Sequence, residues 1–392
     1  MFAREGVDAL GKIADLEVRV GDATVGRMAQ PDPRGPVYFE YDRAWLATGY
    51  SISPLSLPLR PGVYEPSAHG GRRIHGVFAD SLPDDWGKIL VDRMLSQVGV
   101  DPSRIGPLAR LALVGDSGRG ALEYRPVVSM AAEEDEAGFD ALYAQAKALL
   151  EDDGQAGSYD SLYRRGGSSG GARPKVAAQM DGVSWLVKFP LSAEYPGECA
   201  DEYRYVLMAK RCGIDMPEVQ LIPSQLCEGF FAIRRFDREP LPGGGEGKLH
   251  MASACALLEA DPFEDALDYR DLMRLTVRLT SDARDAERLF RVMCFNVFAG
   301  NCDDHIKNFS YLCDSKGLWR LSPAYDLTRN PGFFGEHTLL VNGKGSGIDD
   351  ADLVSVGEAG SLTARRARAI CGEVKRVVLD ELGTLDDAYT SA

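Results

Sequence analysis

The chain has 392 residues, a formal net charge of -15 at pH 7 and 8 cysteines. A chain of this length is too long to fold around one compact core, and about two or three domains are expected. The acidic balance argues against a protein that binds nucleic acid by itself, because a phosphate backbone requires clustered lysine and arginine. No C-x-x-C pair occurs, which argues against zinc-ribbon and thioredoxin-like sites and predicts free thiols in a reducing compartment.

The amino-terminal segment does not resemble a targeting sequence. Its first 11 residues carry charges where a signal peptide needs an apolar core. No uncharged apolar run in the chain approaches the roughly 18 residues of a membrane-spanning helix. We therefore expect a soluble, cytoplasmic protein that makes no contact with a membrane.

The first third of the chain predicts an α+β module without a catalytic constellation of its own. Residues 16–20 alternate apolar and polar side chains, and residues 37–41 are rich in residues that favour strands. Residues 51–71 contain several Gly and Pro residues, which predicts loops. Residues 84–98 and residues 134–151 are expected to form helices.

The middle of the chain predicts a more regular unit. Residues 152–169 are polar and rich in Gly, Ser and Tyr, and predict a linker or mobile loop. A hairpin, a helix and two further strands are then predicted over residues 175–180 and 183–189, 199–212, 219–223 and 230–234. Asp181-Gly182 suits the tight turn of the hairpin. This order is that of the small lobe of a protein kinase.

The last part is predicted to be mainly helical. It follows a Gly-rich connection at residues 240–247, which lacks the first Gly and the final Ser/Thr of a phosphate-binding Walker loop. A helix is predicted over residues 282–299 with Ser281 as its N-cap, and an amphipathic helix over residues 363–381. The first of these helices leads directly into residues 300–310.

Residues 300–310, G-N-C-D-D-H-I-K-N-F-S, contain the most informative spacing in the chain. Asp303 stands five positions before Asn308, which is the D-x-x-x-x-N spacing of a kinase catalytic loop. In such a loop the Asp accepts the proton of the attacking hydroxyl and the Asn holds magnesium. The spacing selects Asp303 rather than Asp304 as the base, and Asp304 could instead be a structural cap.

Two neighbours of this pair are interpreted by the same chemistry. His305 is expected to organise the backbone of the loop rather than to act as a general base. Lys307 could neutralise charge on the transferring phosphoryl group. Asp326, in a Tyr-Asp-Leu eighteen residues after Asn308, takes the place of the D-F-G aspartate that holds magnesium.

The nucleotide-binding residues of a kinase are predicted in the middle third of the chain. Residues 166–175, G-G-S-S-G-G-A-R-P-K, contain glycines that let backbone N–H groups approach an anion. Lys188 lies in an otherwise apolar strand, and we expect it to hold nucleotide phosphates while it is paired with an acid. Glu202 is the favoured acid, and Glu198 is the alternative.

Together these residues resemble the HipA-like serine/threonine kinases, toxin components of bacterial toxin–antitoxin modules. The matching stretches are residues 78–84, 115–122, 170–175, 235–238, 300–310 and 323–327. The resemblance implies an α+β protein with an atypical two-lobed protein-kinase-like fold. It implies an N-terminal α+β domain at residues 1–150, a small lobe at residues 151–239 and a helical large lobe at residues 240–392.

The resemblance also implies ATP and Mg²⁺ as cofactors and assigns residues to them. Asp303 is implied as the base with Lys307 beside it, and Asn308 and Asp326 as magnesium ligands. The implied nucleotide-binding residues are Gly170, Gly171, Ala172, Lys188, Glu202, Arg234, Phe236 and His305, with the backbone around residues 234–236 as the adenine hinge.

Family members phosphorylate a serine of the Gly-rich loop on themselves, which ejects the loop. Ser168 aligns best with that serine and Ser169 next. A phosphate of about -1.5 to -2 charges would repel the phosphates of ATP, so such a modification would inhibit nucleotide binding.

The implied partner is a small helix-turn-helix antitoxin of the HipB type, through which the chain would reach DNA only indirectly. The implied substrate is an aminoacyl-tRNA synthetase or another translation protein. Two alternatives stay open: a small-molecule phosphotransferase, which shares the lobe order, and a non-catalytic corepressor of the antitoxin. Retention of every catalytic group argues against the corepressor.

Overall fold

The computed structural model describes residues 10–129, 137–151, 160–168, 170–192, 195–262, 264–332 and 334–390, with side chains described as far as residue 383. Ser169 and residues 134–136 of a predicted helix lie outside the described residues. The chain forms two compact units. The first contains Met1–Ala200, Gln220–Met251 and Ser315–Gly317, and the second contains Asp201–Val219, Ala252–Asp314 and Leu318–Ala392.

The described residues form fourteen strands and twelve α-helices. The strands are β1 (Asp15–Val20), β2 (Ala23–Ala29), β3 (Tyr38–Tyr41), β4 (Val63–Tyr64), β5 (Leu122–Arg125), β6 (Lys175–Met180), β7 (Val183–Lys188), β8 (Val219–Ile222), β9 (Phe230–Arg234), β10 (Arg238–Pro240), β11 (Glu246–Lys248), β12 (His250–Ser253), β13 (Ser310–Cys313) and β14 (Trp319–Leu321). The α-helices are α1 (Arg43–Thr48), α2 (Gly76–Ala79), α3 (Asp85–Gln97), α4 (Pro107–Val114), α5 (Phe139–Glu151), α6 (Asp160–Gly166), α7 (Glu198–Arg211), α8 (Ala254–Leu257), α9 (Tyr269–Thr280), α10 (Ala283–Ala299), α11 (Asp350–Ala359) and α12 (Ala364–Thr390). None of the described helices is long and apolar enough to cross a membrane.

The amino-terminal part of the first unit is built on a five-stranded sheet in the order β4-β3-β2-β1-β5. Its pairs are antiparallel. Leu16 and Val18, at alternate positions of β1, are fully buried, as the alternation of side chains in a strand requires. The predicted strand at residues 16–20 and helix at residues 84–98 are therefore confirmed as β1 and α3.

The first unit also contains a four-stranded sheet in the order β6-β7-β9-β8. Asp181 and Gly182, between β6 and β7, have φ values of +52° and +74°. Two successive positive φ angles are those of a type I′ turn, whose twist matches that of the strands it joins. The hairpin, the helix α7 and the strands β8 and β9 confirm the elements predicted from the sequence.

The predicted linker at residues 152–169 is wrong where the structure describes it. Residues Asp160–Gly166 form α6, in which Leu162 and Tyr163 are buried. Gly166 lies so close to its surroundings that a Cβ atom would stand 2.7 Å from the carbonyl oxygen of Lys175. Gly166 is therefore needed for close packing, whereas the glycines of this segment were interpreted from the sequence as a sign of flexibility.

The second unit is mainly helical, as predicted. Asp282 is the N-cap of α10 and accepts a hydrogen bond from the backbone N–H of Arg284. The prediction of Ser281 as that cap is wrong, because Ser281 has a left-handed φ of +54° and closes α9 through its own N–H. The helix predicted at residues 363–381 is confirmed as part of α12.

The predicted connection at residues 240–247 is shorter in the structure. β10 and β11 pair as an antiparallel hairpin, so that only residues 241–245 connect them. The Gly-rich composition therefore marks a hairpin loop.

A buried ion cluster joins two distant stretches of the first unit. The carboxylate of Asp237 is 4% exposed and accepts hydrogen bonds from Arg235 at 2.7 Å, Arg238 at 2.9 Å and the backbone N–H of Gly120 at 2.7 Å. Both arginines also donate to the carbonyl oxygen of Gly118. Burial by itself would raise the pKa of Asp237, but the two arginines lower it from 3.8 to about 2.

We predict that Asp237→Ala lowers the free energy of unfolding by about 3–5 kcal/mol at pH 7, because it leaves two arginines without their buried counter-charge. Urea unfolding followed by circular dichroism measures this. Since the pKa is lowered on folding, the stabilisation is complete above pH 3.8 and is lost as the pH falls towards about 2. Glu239→Ala, at the exposed neighbour, is the control, and equal losses in both variants would contradict the prediction.

Candidate active site

The Gly-rich loop before β6 is held mainly through its carbonyl oxygens. The Nζ atom of Lys175 donates to the carbonyl of Gly170 at 2.6 Å, and the backbone N–H of Trp86 donates to that of Gly171 at 3.2 Å. Gly171 has a left-handed φ of +81°, which favours glycine. Anchored carbonyls are compatible with the predicted use of the loop's N–H groups for an anion.

Two of the loop's predicted site residues have surroundings that the sequence did not indicate. The hydroxyl of Ser168 donates to the carbonyl of Ser117 at 3.0 Å. A Cβ atom on Gly170 would lie 3.4 Å from the guanidinium of Arg119. Ala172 is exposed. Ser169, the second candidate for modification, lies outside the described residues.

Lys188 is the last residue of β7, and its side chain is buried at 6% exposure. Its Nζ atom lies 5.6 Å from the centre of the Phe231 ring, a distance at which the ring face attracts a cation. The alternative acid, Glu198, forms an ion pair with Arg173 at 2.7 Å. Glu202, on α7, is 1% exposed, and it stays the predicted acid of the lysine.

The predicted adenine hinge lies at the end of β9. Arg234 ends this strand opposite Trp185, and the backbone N–H of Arg235 donates to the carbonyl of Ser184 at 2.9 Å. The side chain of Arg235 is engaged by Asp237. This engagement leaves the backbone atoms of the stretch that includes Phe236 for the predicted hinge role.

The predicted catalytic loop lies in the second unit, between α10 and β13. Gly300 ends α10 with a φ of +68°, which turns the chain sharply at little cost for glycine. The side-chain amide of Asn308 donates to the carbonyl of Asp303 at 3.0 Å. The amide of Asn330 donates to the carboxylate of Asp303 at 3.1 Å. The five-residue spacing thus closes the loop on itself.

The two adjacent aspartates have opposite surroundings. Asp303 is exposed, whereas Asp304 is 1% exposed. The carboxylate of Asp304 accepts hydrogen bonds from the hydroxyl of Tyr269 at 2.7 Å and from the backbone N–H groups of Thr338 at 3.0 Å and Leu339 at 3.4 Å, and His337 Nδ1 lies 2.9 Å from it. Asp304 is therefore a structural residue, and Asp303 is the one that a substrate can reach.

A chain of polar side chains continues behind Asp304. The amide of Asn296 donates to the hydroxyl of Tyr269 at 2.9 Å, and the amide of Asn301 donates to the side chain of Asn296 at 3.0 Å. Burial, and then the nearby charge of Asp304, raise the pKa of Tyr269 well above its usual range. Tyr269 therefore keeps its proton and donates a hydrogen bond to the carboxylate.

Asp326 belongs to the same part of the second unit as Asp303. Desolvation by the surrounding protein atoms raises the pKa of Asp303 although its side chain reaches solvent, the nearby His305 opposes this effect, and the negative charge of Asp326 adds to it. Asp326 has a left-handed φ of +54°, a strained conformation for a residue with a side chain. It lines one cavity together with Asn308. The structure therefore brings Asp303, Asn308 and Asp326 together.

These side chains fit a magnesium ion by their chemistry. Magnesium prefers oxygen ligands, and Asp326 offers a carboxylate. The side-chain NH₂ group of Asn308 donates to the carbonyl of Asp303. The side-chain oxygen of Asn308 is therefore the atom that can bind the metal. Among the described residues no group of three or more His, Cys, Asp or Glu is placed to hold a metal ion.

Several residues of this site were not identified from the sequence. Asn330 contacts Asp303, and Tyr325 donates to the carbonyl of Lys307 at 2.8 Å. Tyr269 and His337 hold Asp304 from distant parts of the chain. No sequence spacing links these residues to the catalytic loop. The one available signal was that Tyr325 directly precedes Asp326, a predicted magnesium ligand.

Comparison with known proteins assigns the family. The model of the HipA-like C-terminal domain matches residues 167–382, which is more than half of the chain. The model of the HipA N-terminal domain matches residues 16–125. The chain belongs to the HipA-like family.

Two curated relatives are named as kinases. "Putative kinase Y4dM" of Sinorhizobium fredii is 33% identical over 181 residues, and this alignment covers 43% of this chain and 42% of that protein. The chain therefore matches less than half the length of that relative. "Serine/threonine-protein kinase toxin HipA" of Shewanella oneidensis is 21% identical over 350 residues, covering 81% of this chain and 75% of the relative.

A solved structure shares the fold. The complex of HipA with HipB and operator DNA from Shewanella oneidensis contains a chain that matches with a TM-score of 0.71 and 17% identity, over 94% of this chain and 90% of that chain. The predicted α+β, kinase-like fold of the HipA type is thereby confirmed.

We predict that Asp304→Ala lowers the free energy of unfolding by about 3 kcal/mol, because several buried donors lose their acceptor. Asp303→Ala, the matched control at the exposed neighbour, should change it by less than about 1 kcal/mol. Urea unfolding of both variants measures the difference. A larger loss in the Asp303 variant would show that the structural and exposed roles are reversed.

Proposed function

We propose that this HipA-like protein is an ATP- and Mg²⁺-dependent serine/threonine-protein kinase and the toxin of a HipA/HipB-like toxin–antitoxin module. The observation that carries the proposal is that Asp326, in the segment after β14, lies near Asp303 and Asn308 of the loop that Asp304 anchors. The kinase names of its relatives agree with it.

Each residue of the second unit has a proposed role in phosphoryl transfer. Asp303 accepts the proton of the substrate hydroxyl, and its raised pKa favours that transfer. Lys307 stabilises negative charge on the phosphoryl group, and His305 supports the loop and the nucleotide site. Asn308 and Asp326 are the proposed metal ligands, and magnesium bound there would supply charge neutralisation at the phosphates.

The proposed nucleotide residues belong to the first unit, except Glu202 and His305, which belong to the second. The backbone of Gly170, Gly171 and Ala172 would bind phosphates, Lys188 would contact them with Glu202 as its acid, and the backbone at Arg234 and Phe236 would bind adenine. The proposed domains keep the bounds 1–150, 151–239 and 240–392. The two family matches, at residues 16–125 and 167–382, fall on either side of the first of these boundaries.

The proposed partners follow from the relatives. The similar solved structure contains HipA with HipB and operator DNA, so we propose a HipB-like helix-turn-helix antitoxin as the partner of this chain in the cytoplasm. Its net charge of -15 fits a protein that reaches DNA only through such a partner. The proposed substrate is an aminoacyl-tRNA synthetase or another translation protein.

The purified wild-type protein should label itself with the γ-phosphate of radioactive ATP in the presence of Mg²⁺. We predict that Asp303→Asn and Asp326→Ala abolish the label, because each removes a group needed for transfer. Chelation of the metal should have the same effect on the wild type. Thermal melts show whether each variant is folded.

Label that persists in both folded variants would reject the assignment of the site. A panel of aminoacyl-tRNA synthetases and a panel of metabolites, tested in parallel, identify the acceptor. Phosphate that appears only on small molecules would reject the toxin kinase in favour of a phosphotransferase.

Autophosphorylation is proposed at the Gly-rich loop. We predict that Ser168→Ala loses the label and that Ser169→Ala keeps it, with mass spectrometry locating the phosphate. We further expect Ser168→Asp to weaken ATP binding, because the added charge repels the nucleotide phosphates. A phosphate found on Ser169 alone would move the assignment to that residue.

A further inference from the structure

The carboxylate of Asp303 is held by a side chain from outside its own loop. The side-chain amide of Asn330 donates to Oδ2 of Asp303 at 3.1 Å. Within the part of the chain that the structure describes, this is the only hydrogen bond that the carboxylate accepts. An exposed aspartate otherwise rotates among several staggered rotamers. This one contact therefore determines the direction of the two carboxylate oxygens.

The orientation of the Asn330 amide is itself determined by the backbone. Its side-chain oxygen accepts the N–H of Gly332 at 3.0 Å, in the turn that an asparagine forms with the residue two positions later. The oxygen and the NH₂ group of an asparagine side chain are distinguished by their partners. Because a backbone N–H group bonds only to the oxygen, the NH₂ group is the one that faces Asp303.

The backbone of Asn330 is bonded to the start of the same loop on both sides. Its N–H donates to the carbonyl of Gly300 at 3.2 Å, and its carbonyl accepts the N–H of Cys302 at 2.7 Å. These two bonds form an isolated parallel bridge between Asn301 and Asn330. The main chain and the side chain of Asn330 are therefore both fixed relative to residues 300–303.

The two residues after Asn330 favour this conformation. Pro331 restricts the residue before it to extended backbone, which suits a bridge to a neighbouring segment. Gly332 has a left-handed φ of +62°, and a Cβ atom there would stand 2.6 Å from the carbonyl oxygen of Glu336 and 2.9 Å from Cβ of Cys302. The sequence Asn-Pro-Gly thus forms a rigid turn packed against the loop.

A neutral amide is also the appropriate donor for a base. The carboxylate of Asp303 already has His305, Asp304 and Asp326 as charged neighbours. A lysine or arginine at position 330 would form an ion pair with the carboxylate and occupy it. The amide of Asn330 orients the carboxylate without adding a charge, and it bonds only one of the two oxygens. The other oxygen is left for a substrate hydroxyl.

We propose that Asn330 is a positioning residue for Asp303: it holds Oδ2 of the carboxylate so that Oδ1 is presented to the acceptor hydroxyl. This proposal rests on the proposed kinase function and deepens it. Asn330 lies four residues after Asp326, a proposed magnesium ligand, so the segment that carries this ligand also orients the base. Loss of the hydrogen bond therefore slows phosphoryl transfer and leaves the binding of Mg-ATP unchanged.

The self-labelling rate of the full chain, measured against the concentration of Mg-ATP, tests the role of Asn330. We expect Asn330→Asp to lower the maximal rate by about tenfold to a hundredfold, with the dissociation constant of Mg-ATP from isothermal titration within about twofold of the wild type. This variant keeps the shape of the side chain and the oxygen that accepts from Gly332, and it replaces only the NH₂ donor. Asn330→Gln should recover part of the rate, because it keeps an amide donor.

Asn342→Asp is the matched control. Asn342 also donates its side-chain amide to an aspartate, Asp352, at 2.8 Å, but neither residue belongs to the candidate site. Asn330→Asp and Asn342→Asp both place a second carboxylate beside an existing one, so a general cost of that repulsion affects both variants. The maximal rate of the control should equal that of the wild type, and thermal melts show whether each variant is folded.

The possible results separate the hypotheses. A wild type that transfers no phosphate would reject the proposed function. Equal rates of transfer by the wild type and by Asn330→Asp would reject only the role of Asn330. Two further results would also reject that role: weaker binding of Mg-ATP that accounts for the whole loss of rate, and an Asn330→Gln variant that is as slow as Asn330→Asp.

Crystal structures of the wild type and of Asn330→Asp test the positioning without any measurement of activity. We expect the carboxylate of Asp303 to adopt one orientation in the wild type. In the variant it should adopt a different orientation or more than one, because the donor is lost. The same single orientation in both proteins would overturn the proposal.

Discussion

The buried carboxylate of Asp304 is the constraint on which the candidate site of the second unit depends. A carboxylate removed from water must be fully hydrogen-bonded, and here donors from Tyr269 and the backbone of Thr338 meet that demand. Because these donors belong to segments far apart in the chain, satisfying Asp304 also determines where the loop runs. Asp303, one residue earlier, is thereby left at the surface.

The first unit uses the same physical device at another place. Asp237 is buried with two arginines and accepts a hydrogen bond from the N–H of Gly120, while both arginines donate to the carbonyl of Gly118. These contacts connect the region that matches the HipA N-terminal domain to the region that matches the C-terminal domain. Removing any one charge from such a cluster leaves the others unpaired, which makes the connection specific as well as stable. The amino-terminal region therefore takes part in fixing the segment beside the proposed adenine site.

Much of this organisation could be predicted because the relevant patterns are local. Asp181-Gly182 predicted a turn whose positive φ angles the structure shows, and the spacing of Asp303 and Asn308 predicted a loop that closes through a hydrogen bond between them. Predictions from composition were less successful. The glycine at position 166 suggested flexibility, yet it lies in a helix end where no side chain fits, since composition does not distinguish a mobile glycine from a closely packed one.

The sequence alone indicated the family, predicted the hairpin, helix and strands of residues 175–234 and selected Asp303 as the proposed base, because strand alternation, turn chemistry and motif spacing are properties of neighbouring residues. Only the tertiary structure decided which partners surround those residues. Tyr269 and His337 reach Asp304, and Lys175 lies opposite Lys188, through strand pairing and helix packing between distant segments. The physical reason is that burial and hydrogen-bond satisfaction depend on the whole fold, and no local spacing encodes them.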